Sequence, residues 1–300
     1  MASLIKTIRT RLADLGDEGR RRLPILKRVP PLHDLLEGAA RVGYGARGFV
    51  YLSIGLIVFL AATDQIGQST GSSGAVAMLA EQPFGRVWLI LLGLGLWAFV
   101  VWRVLQAVFD ADREGRDSKA LMLRAGQAMS GVFYGLLAAG VFEILDEFGR
   151  TPSRDDETEN QQKAAMLLDL PFGDLMLIGA GLIILAVGVG NMIKGATADF
   201  AEDLACSTEI CERVTPVARA GYVARGLAYL PLAGFVILAG VHARASDVTS
   251  FGGGLDAMEA LPAGSWLLGV TAIGLMAFGA FAFVEARYRR IRPPKKLIAG

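Results

Sequence analysis

The sequence has few of the residues on which most enzyme active sites depend. Among 300 residues there are two histidines and two cysteines, and the metalloprotease, α/β-hydrolase and phosphate-loop motifs do not occur. His33 and His242 fall on opposite sides of the membrane predicted below, so they cannot share a metal or a haem. We therefore expect no catalytic residue, no metal and no cofactor, and we predict that the protein is not an enzyme.

The two cysteines, Cys206 and Cys211, are five positions apart in a segment that the charge pattern places in the cytoplasm. Cytoplasmic thiols are kept reduced, so a structural disulfide is not expected there. We interpret both residues as plain thiols, with a metal or redox role as the alternative.

A surplus of positive charge is also lacking. The formal net charge is +1, whereas binding to nucleic acid requires Lys and Arg clustered on one face without compensating acids. We therefore expect no nucleic-acid partner. By contrast, 53% of the residues are hydrophobic, which indicates a protein of the lipid bilayer.

Six apolar stretches are each about 20 residues long, the length that crosses ~30 Å of hydrocarbon as a helix. They lie at residues 45–63, 86–108, 125–145, 172–194, 222–241 and 265–286. Twenty-five of the 30 Lys and Arg residues lie toward the side that holds both termini. Because positive residues are retained in the cytoplasm, we predict a bacterial inner-membrane protein with both termini cytoplasmic. No charge lies at mid-depth, where pumps and coupled carriers place theirs.

One motif recurs three times, each time at the start of an outgoing apolar stretch. Two copies are complete, Arg41-Val-Gly-Tyr-Gly-Ala-Arg-Gly-Phe-Val-Tyr51 and Arg219-Ala-Gly-Tyr-Val-Ala-Arg-Gly-Leu-Ala-Tyr229. The copy that begins at Arg124 has Gln127 and Ser130 in place of Tyr and Arg. Each unit continues with an external segment that ends in Pro-x-Gly and with a returning stretch.

The repeats occupy residues 41–112, 124–200 and 219–290. The predicted fold class is therefore all-α, a polytopic membrane protein with six transmembrane helices as three parallel two-helix repeats in a pseudo-threefold arrangement.

Three segments lie outside this pattern. Residues 1–40 are predicted to form a basic amphipathic cytoplasmic arm, with a partly disordered basic tail as the alternative. Residues 148–163 are an acidic external insertion, interpreted as a mobile loop because it has no apolar residue to bury. Residues 291–300 form a basic cytoplasmic tail.

With this motif in three copies, the chain resembles a family of bacterial integral membrane proteins of unassigned function. That family has three two-helix units and an R-x-G-Y-x-A-R-G-x-x-Y-like signature, and the resemblance covers residues 38–290. It implies a fold and a location, but it supplies no substrate, cofactor or catalytic residue. Unit two has Gln127 and Ser130 in place of the Tyr and the second Arg of the signature. A role that needs both arginines of the motif can therefore be filled by units one and three only.

The motif residues share one face of a helix, since they fall within an arc of about 120°. Two interpretations are open. In the first, which the sequence favours, the arginines anchor helix ends to lipid phosphates and the tyrosines form an interfacial belt. In the second, they point inward and form a basic ring for an anionic ligand or lipid headgroup. The residues concerned are Arg41, Tyr44, Arg47, Tyr51, Arg124, Tyr134, Arg219, Tyr222, Arg225 and Tyr229.

Few other polar residues lie in the apolar stretches. Gln106, Lys194 and Glu285 occupy equivalent positions, 21 residues after the Pro-x-Gly glycine of their unit. A pair between Glu285 and an arginine is one interpretation, and a solvated helix end is the favoured one. Glu143, near the outer end of the third stretch, could be withdrawn from water, although a water-exposed acid is the favoured interpretation. Glu143, Glu285 and Lys194 are the candidate polar residues within the membrane.

The leading functional hypothesis is a non-enzymatic membrane protein that packs against anionic lipid, a membrane-protein partner or a second copy. It would present a basic face to the cytoplasm. The alternative is a small-solute or ion transporter, or a channel, that uses the pseudo-threefold axis as its path.

Overall fold

The protein is described by a computed structural model that covers residues 32–63, 72–80, 84–112, 115, 117–146 and 156–291. Residues 1–31 of the predicted arm and 292–300 of the predicted tail lie outside the described residues, and residues 32–40 form the start of the first helix. Within the described ranges the secondary structure is helical, as predicted, apart from one isolated bridge between Leu204 and Arg289. The α-helices in these ranges are α1 Leu32–Ala62, α2 Ser72–Ala80, α3 Gly85–Phe109, α4 Ser118–Asp146, α5 Asp156–Leu168, α6 Gly173–Thr197, α7 Thr208–His242, α8 Phe251–Glu259 and α9 Gly264–Tyr288.

Six of these helices, α1, α3, α4, α6, α7 and α9, are long and apolar enough to cross a membrane. They coincide with the six predicted apolar stretches, and the chain is a multi-pass membrane protein. The outgoing helices begin well before their apolar stretches, so each motif forms part of a span. The end of the bundle at which α1 begins and α9 ends is called the termini end below.

Each unit consists of a long outgoing helix, a short helix and a long returning helix. The short helix of unit two, α5, shows that the mobile-loop interpretation of residues 148–163 was wrong from Asp156 onward, while residues 147–155 lie outside the described ranges. The Lys163–Glu159 pair, at 2.7 Å, supports the helix. Gln161 also donates to the carbonyl oxygen of Val248 at 3.3 Å. The polar first half of α5 is therefore held by contacts with unit three, while Ala164 in its second half packs in a buried cluster with Val236 and Val248.

The turn into each returning helix has the same geometry in all three units. The residue between proline and glycine is left-handed, with φ of 63° at Phe84 and 62° at Phe172 and Ala263, a conformation that costs free energy for an L-residue. At the glycine that follows, a Cβ would overlap a carbonyl oxygen of the short helix, for example that of Glu259 at Gly264. The Pro-x-Gly spacing is therefore a steric requirement for folding the short helix against the span.

The six spans form a ring around the predicted pseudo-threefold axis. Where units meet, α3 packs on α4, α6 on α7 and α9 on α1, and within units one and three α1 packs on α3 and α7 on α9. A Cβ at Gly48 would lie 2.8 Å from the carbonyl oxygen of Gly279, and one at Gly188 would lie 3.1 Å from that of Gly226. Because lipid provides no hydrophobic drive between helices, such close backbone crossings hold the ring together.

The ring is open at one place, between the two spans of unit two. In the described part of the chain α4 and α6 share no extensive interface, and they are the least buried of the six spans. The arrangement of three two-helix units is therefore confirmed, with one of its six interfaces missing.

The segment between α6 and α7 contains a disulfide, so the prediction of two plain thiols was wrong. Cys206 precedes α7 and Cys211 lies in its first turn, with Cα atoms 5.8 Å apart, within the usual range for a disulfide. The prediction was based on the reducing cytoplasm. It did not consider that the start of α7 brings the two cysteines close together.

Replacing Gly264 with alanine is expected to lower the free energy of unfolding by about 1–3 kcal/mol, the usual range for overpacking, because the new Cβ would overlap the Glu259 carbonyl. Thermal unfolding in detergent measures the change. Gly269→Ala in the same helix is the control, since its Cβ would meet only the Cβ of Ala62, at 3.9 Å. Equal unfolding temperatures for the two variants would contradict the steric requirement.

Candidate functional site

The second arginine of the first motif is buried inside the bundle. Arg47 of α1 and Glu285 of α9 are each 2% exposed and form an ion pair. The other carboxylate oxygen of Glu285 accepts a hydrogen bond from Arg289 at 2.6 Å. The pair joins the first and last spans in the interior, where either charge alone would be strongly destabilising.

The second arginine of the third motif is held by neutral groups. Arg225 of α7 donates from Nε to the Tyr51 hydroxyl at 2.9 Å and from Nη1 to the side-chain oxygen of Asn191 at 3.3 Å. Its Nη2 lies 3.5 Å from the Tyr229 hydroxyl, and its guanidinium carbon lies 4.8 Å from the centre of the Phe278 ring. None of the described carboxylates forms an ion pair with Arg225.

At the interface between units one and two, the arginine comes from the returning helix of unit one. The motif in α4 has Ser130 at this position, and a Cβ at the adjacent Gly131 would lie 3.2 Å from the Cβ of Arg103 in α3. Arg103 donates to Gln106 at 2.9 Å and lies over the Phe99 ring at 4.8 Å. One arginine therefore lies at each interface between units. Together, the arginine ring consists of Arg47, Arg103 and Arg225.

Two phenylalanines lie between the members of the arginine ring. The Phe278 ring centre is 5.0 Å from the guanidinium of Arg47 and 4.8 Å from that of Arg225. The Phe99 ring centre is 5.4 Å from Arg47 and 4.8 Å from Arg103. Such cation–π contacts stabilise a guanidinium where water is excluded. They compensate the three charges only in part, because an aromatic ring carries no negative charge.

Two buried guanidinium nitrogens of the arginine ring have no hydrogen-bond partner among the described residues. They are Nε of Arg47 and Nε of Arg103, and the hydroxyl of Tyr134, which is 1% exposed, has no partner beyond the neighbouring Tyr51 hydroxyl. A buried polar atom without a partner costs about 1–3 kcal/mol. The ring therefore offers more hydrogen-bond donors, and more positive charge, than the surrounding side chains satisfy.

The first arginine of motifs one and two caps the end of a neighbouring helix. Arg41 donates to two carbonyl oxygens at the end of α9, at 2.9 and 2.7 Å, and Arg124 donates to two at the end of α3, at 2.9 and 3.1 Å. Both cap the C-terminal end of the returning helix of the adjacent unit, where the helix dipole favours a cation. Arg219 is exposed and makes no such contact within the described ranges.

The tyrosines of the motif do not form the predicted interfacial belt. Tyr44, Tyr51 and Tyr222 are at most 6% exposed, and the Tyr44 hydroxyl accepts a hydrogen bond from Trp102 at 3.1 Å. The favoured anchor interpretation was therefore wrong for these tyrosines and for Arg47. The physical reason is that the motif face packs against the other spans rather than against lipid.

The equivalent polar residues of the returning helices have different environments. Glu285 is buried, so its favoured interpretation as a solvated helix end was wrong. Gln106 is also buried and donates to Asp112 at 2.6 Å. Lys194 is exposed, with its Nζ 4.9 Å from the ring centre of Tyr222. Only Glu285 of these three equivalent residues therefore pairs directly with the motif arginine of the adjacent unit.

Two residues at the arginine ring, Arg103 and Asn191, were missed as site residues from the sequence. Both lie 18 residues after the Pro-x-Gly glycine of their unit, so comparing the returning helices at that spacing would have found them. Glu143 of α4 is exposed, in agreement with its favoured interpretation, and it lies toward the opposite end of the bundle from the motif.

The three repeats match a known protein family. Residues 42–110, 125–198 and 220–289 each match the family model described as Domain of Unknown Function (DUF1206). The chain belongs to this family. It is also 30% identical over 256 residues to the uncharacterized protein YxxB of Bacillus subtilis (strain 168), and this match covers 84% of the chain and 90% of that protein. No solved structure matches the chain.

The predicted resemblance is thereby confirmed, because DUF1206 is a family of unassigned function and this member has three repeated segments and six membrane-spanning helices. Each DUF1206 segment begins one residue after the first arginine of a motif. The three segments together contain the whole arginine ring and Glu285. The ring therefore belongs to the repeated core of the DUF1206 chain rather than to its arm or tail.

Glu285→Gln is expected to lower the free energy of unfolding by about 3–5 kcal/mol, because Arg47 would lose its buried counter-ion. Thermal unfolding in detergent measures the loss. Glu209→Gln is the matched control, since Glu209 pairs with Arg213 at 2.7 Å but is 74% exposed, and surface pairs contribute about 0–1 kcal/mol. Adding Arg47→Gln to Glu285→Gln should recover part of the loss, and strictly additive losses would contradict a direct pair.

Proposed function

We propose that the protein is a non-enzymatic protein of the bacterial inner membrane that binds an anionic group at the arginine ring. Both termini, and the basic face that carries them, lie in the cytoplasm. The observation that carries the proposal is Arg225, a guanidinium inside the bundle whose partners are two tyrosine hydroxyls and one asparagine oxygen. No described carboxylate balances its charge.

The energetics of burial support an added anion. Charges withdrawn from water in proteins are normally paired. Arg47 follows this rule through Glu285. Arg103 and Arg225 are half-buried and have no such partner among the described residues, and the buried Nε of Arg103 has no hydrogen-bond acceptor there. An anion between these two arginines would supply both the charge and the acceptor.

The chemistry of the ring fits an oxyanion such as a phosphate. A guanidinium donates two parallel hydrogen bonds to phosphate or carboxylate oxygens, and the Tyr134 hydroxyl provides a further donor. Arg103 lies six residues before the end of α3, about 9 Å at 1.5 Å per residue. Arg103 therefore lies midway between the centre of α3 and its termini end. A lipid headgroup, a soluble anion and a carboxylate of a partner protein or a second copy share this chemistry.

Passage of a small solute or ion along the axis is the second hypothesis, and the contacts at the axis weigh against it. The side chains of Arg47 and Glu285 pair across the interior, and the rings of Phe99 and Phe278 stack on the arginines. Movement along the axis would have to break a buried ion pair and displace these rings.

Arg225→Gln is expected to lose an anionic species that co-purifies with the wild type. Native mass spectrometry of gently extracted protein detects that species, and titration of delipidated protein with inorganic phosphate and with phosphatidylglycerol measures the affinity. Hydrogen bonds to charged groups contribute about 1.5–3 kcal/mol, so the affinity should fall by at least about tenfold.

Arg213→Gln is the matched control, because Arg213 lies on the same helix and is 79% exposed. Arg47 is unsuitable for this test, since its removal would take away the buried ion-pair partner of Glu285 and leave that carboxylate with Arg289 alone. Equal amounts of bound anion in the two variants would contradict the proposal. Solute flux into vesicles that depends on Arg225 would favour the passage hypothesis instead.

A further inference from the structure

Unit two lacks the backbone contact that closes units one and three. A Cβ at Gly43 of α1 would lie 2.6 Å from the backbone of Phe99 in α3, and one at Gly221 of α7 would lie 2.5 Å from the backbone of Phe278 in α9. The equivalent glycine of α4, Gly126, has nothing within 4 Å of that position. The two spans of unit two are therefore apart at the level where the other units are in contact.

The side chains at this level also differ in unit two. Tyr44 packs edge-on against Phe99, and Tyr222 against Phe278, with ring centres 5.3 and 5.0 Å apart. The returning helices of units one and three also carry a glycine four residues before the phenylalanine and a buried aromatic residue three residues after it. In unit two the tyrosine, glycine, phenylalanine and later aromatic residue are replaced by Gln127, Ile183, Val187 and Gly190.

These differences leave a cleft between α4 and α6 that is open to lipid. Ile183 is an exposed apolar side chain, and a Cβ at Gly190 would meet nothing within 4 Å. The aromatic residues at the position of Gly190 in the other units, Trp102 and Phe281, are buried. Unit two therefore has empty space where its counterparts are filled by large rings.

The arginine ring is open on the side of this cleft. Phe99 lies between Arg47 and Arg103, and Phe278 lies between Arg47 and Arg225. The equivalent residue between Arg103 and Arg225 is Val187 of α6. The two arginines without a carboxylate partner among the described residues are thus the two that flank the missing interface.

A layer of contacts covers the ring at the termini end. Arg289, at the end of α9, lies 3.4 Å from Asp112 in the segment after α3. Phe200, in the segment after α6, packs on Tyr222 and Phe281, with ring centres 5.1 and 5.3 Å apart. A soluble anion would have to open this layer to reach the ring, whereas a molecule in the bilayer could reach it sideways.

We propose that the bound anion is the headgroup of an anionic phospholipid, which enters between α4 and α6 and keeps its acyl chains in the cleft. This inference rests on the proposed function and adds the class of ligand and its route. Two arginines without carboxylate partners repel the ammonium group of a zwitterionic headgroup and attract an anionic one.

A photoactivatable phosphatidylglycerol, with a diazirine in one acyl chain, tests the route on unaltered protein. Wild-type protein in lipid nanodiscs is irradiated, and crosslinked peptides are mapped by mass spectrometry. We expect crosslinks concentrated around Gly126 of α4 and around Val187 and Gly190 of α6. Excess phosphatidylglycerol should suppress them, and excess phosphatidylcholine should not. Crosslinks spread evenly over the lipid-facing residues of all six spans would overturn the inference.

Closing the cleft provides an independent test. The double variant Gln127→Tyr/Val187→Phe restores the aromatic pair of the other units and leaves every ring arginine in place. Binding of phosphatidylglycerol to the delipidated variant should fall at least about tenfold in a native mass spectrometry titration. Val270→Phe makes the same change at a lipid-facing position of α9 that is 63% exposed, and it should bind as the wild type does. Unchanged binding by a folded double variant would overturn the route.

Inorganic phosphate distinguishes failure of this inference from failure of the proposed function. If phosphate binds to the wild type but not to Arg225→Gln, and phosphatidylglycerol binds to neither, the ring is a site for a soluble anion and only the inference fails. If neither probe binds to the wild type, both fail. If phosphatidylglycerol binds through Arg225 and is lost when the cleft is closed, both are supported.

Discussion

The buried ion pair between Arg47 and Glu285 is the interaction on which the rest of the bundle depends. It joins the first and last spans, so it closes the ring of helices on the side opposite the open interface. Two charges in an apolar interior are stable only when geometry and additional hydrogen bonds compensate for lost hydration. Arg289 provides one such bond to Glu285, and Phe99 and Phe278 provide aromatic faces for Arg47. Phe99 and Phe278 therefore help to stabilise the Arg47–Glu285 pair in the interior.

The bundle also depends on contacts that only glycine permits. In a membrane the hydrophobic effect does not draw helices together, so association relies on close packing and on polar contacts. Gly48 against Gly279 and Gly188 against Gly226 are crossings of this kind between units. An interface that loses its small residues and its aromatic pair has nothing else to hold it, because lipid solvates the separated faces equally well. This explains why a few replacements suffice to open unit two.

The spans, repeats and turns could be predicted because length, period and Pro-x-Gly spacing are local properties of the chain. Whether the motif residues face lipid or the other spans could not be predicted. Lipid and the bundle interior are both apolar, so the same periodicity is compatible with either. Arg103 was missed because it replaces Ser130 from another helix, which a search for the motif alone does not detect. The disulfide was missed because the argument used the compartment and not the fold around Cys206.

Unit two lacks the interface between its two spans, but an arginine is still present where it meets unit one. This combination argues against simple decay of a repeat. Its motif has Ser130 where the other two have arginine, yet Arg103 from α3 restores a guanidinium at that interface. A half-buried cation without a carboxylate partner among the described residues lowers stability, so the charge at this interface favours binding of an anion. A complete threefold bundle would enclose three cations behind aromatic pairs on every side. Opening one unit while keeping the third arginine leaves the ring charged and makes it accessible from the bilayer.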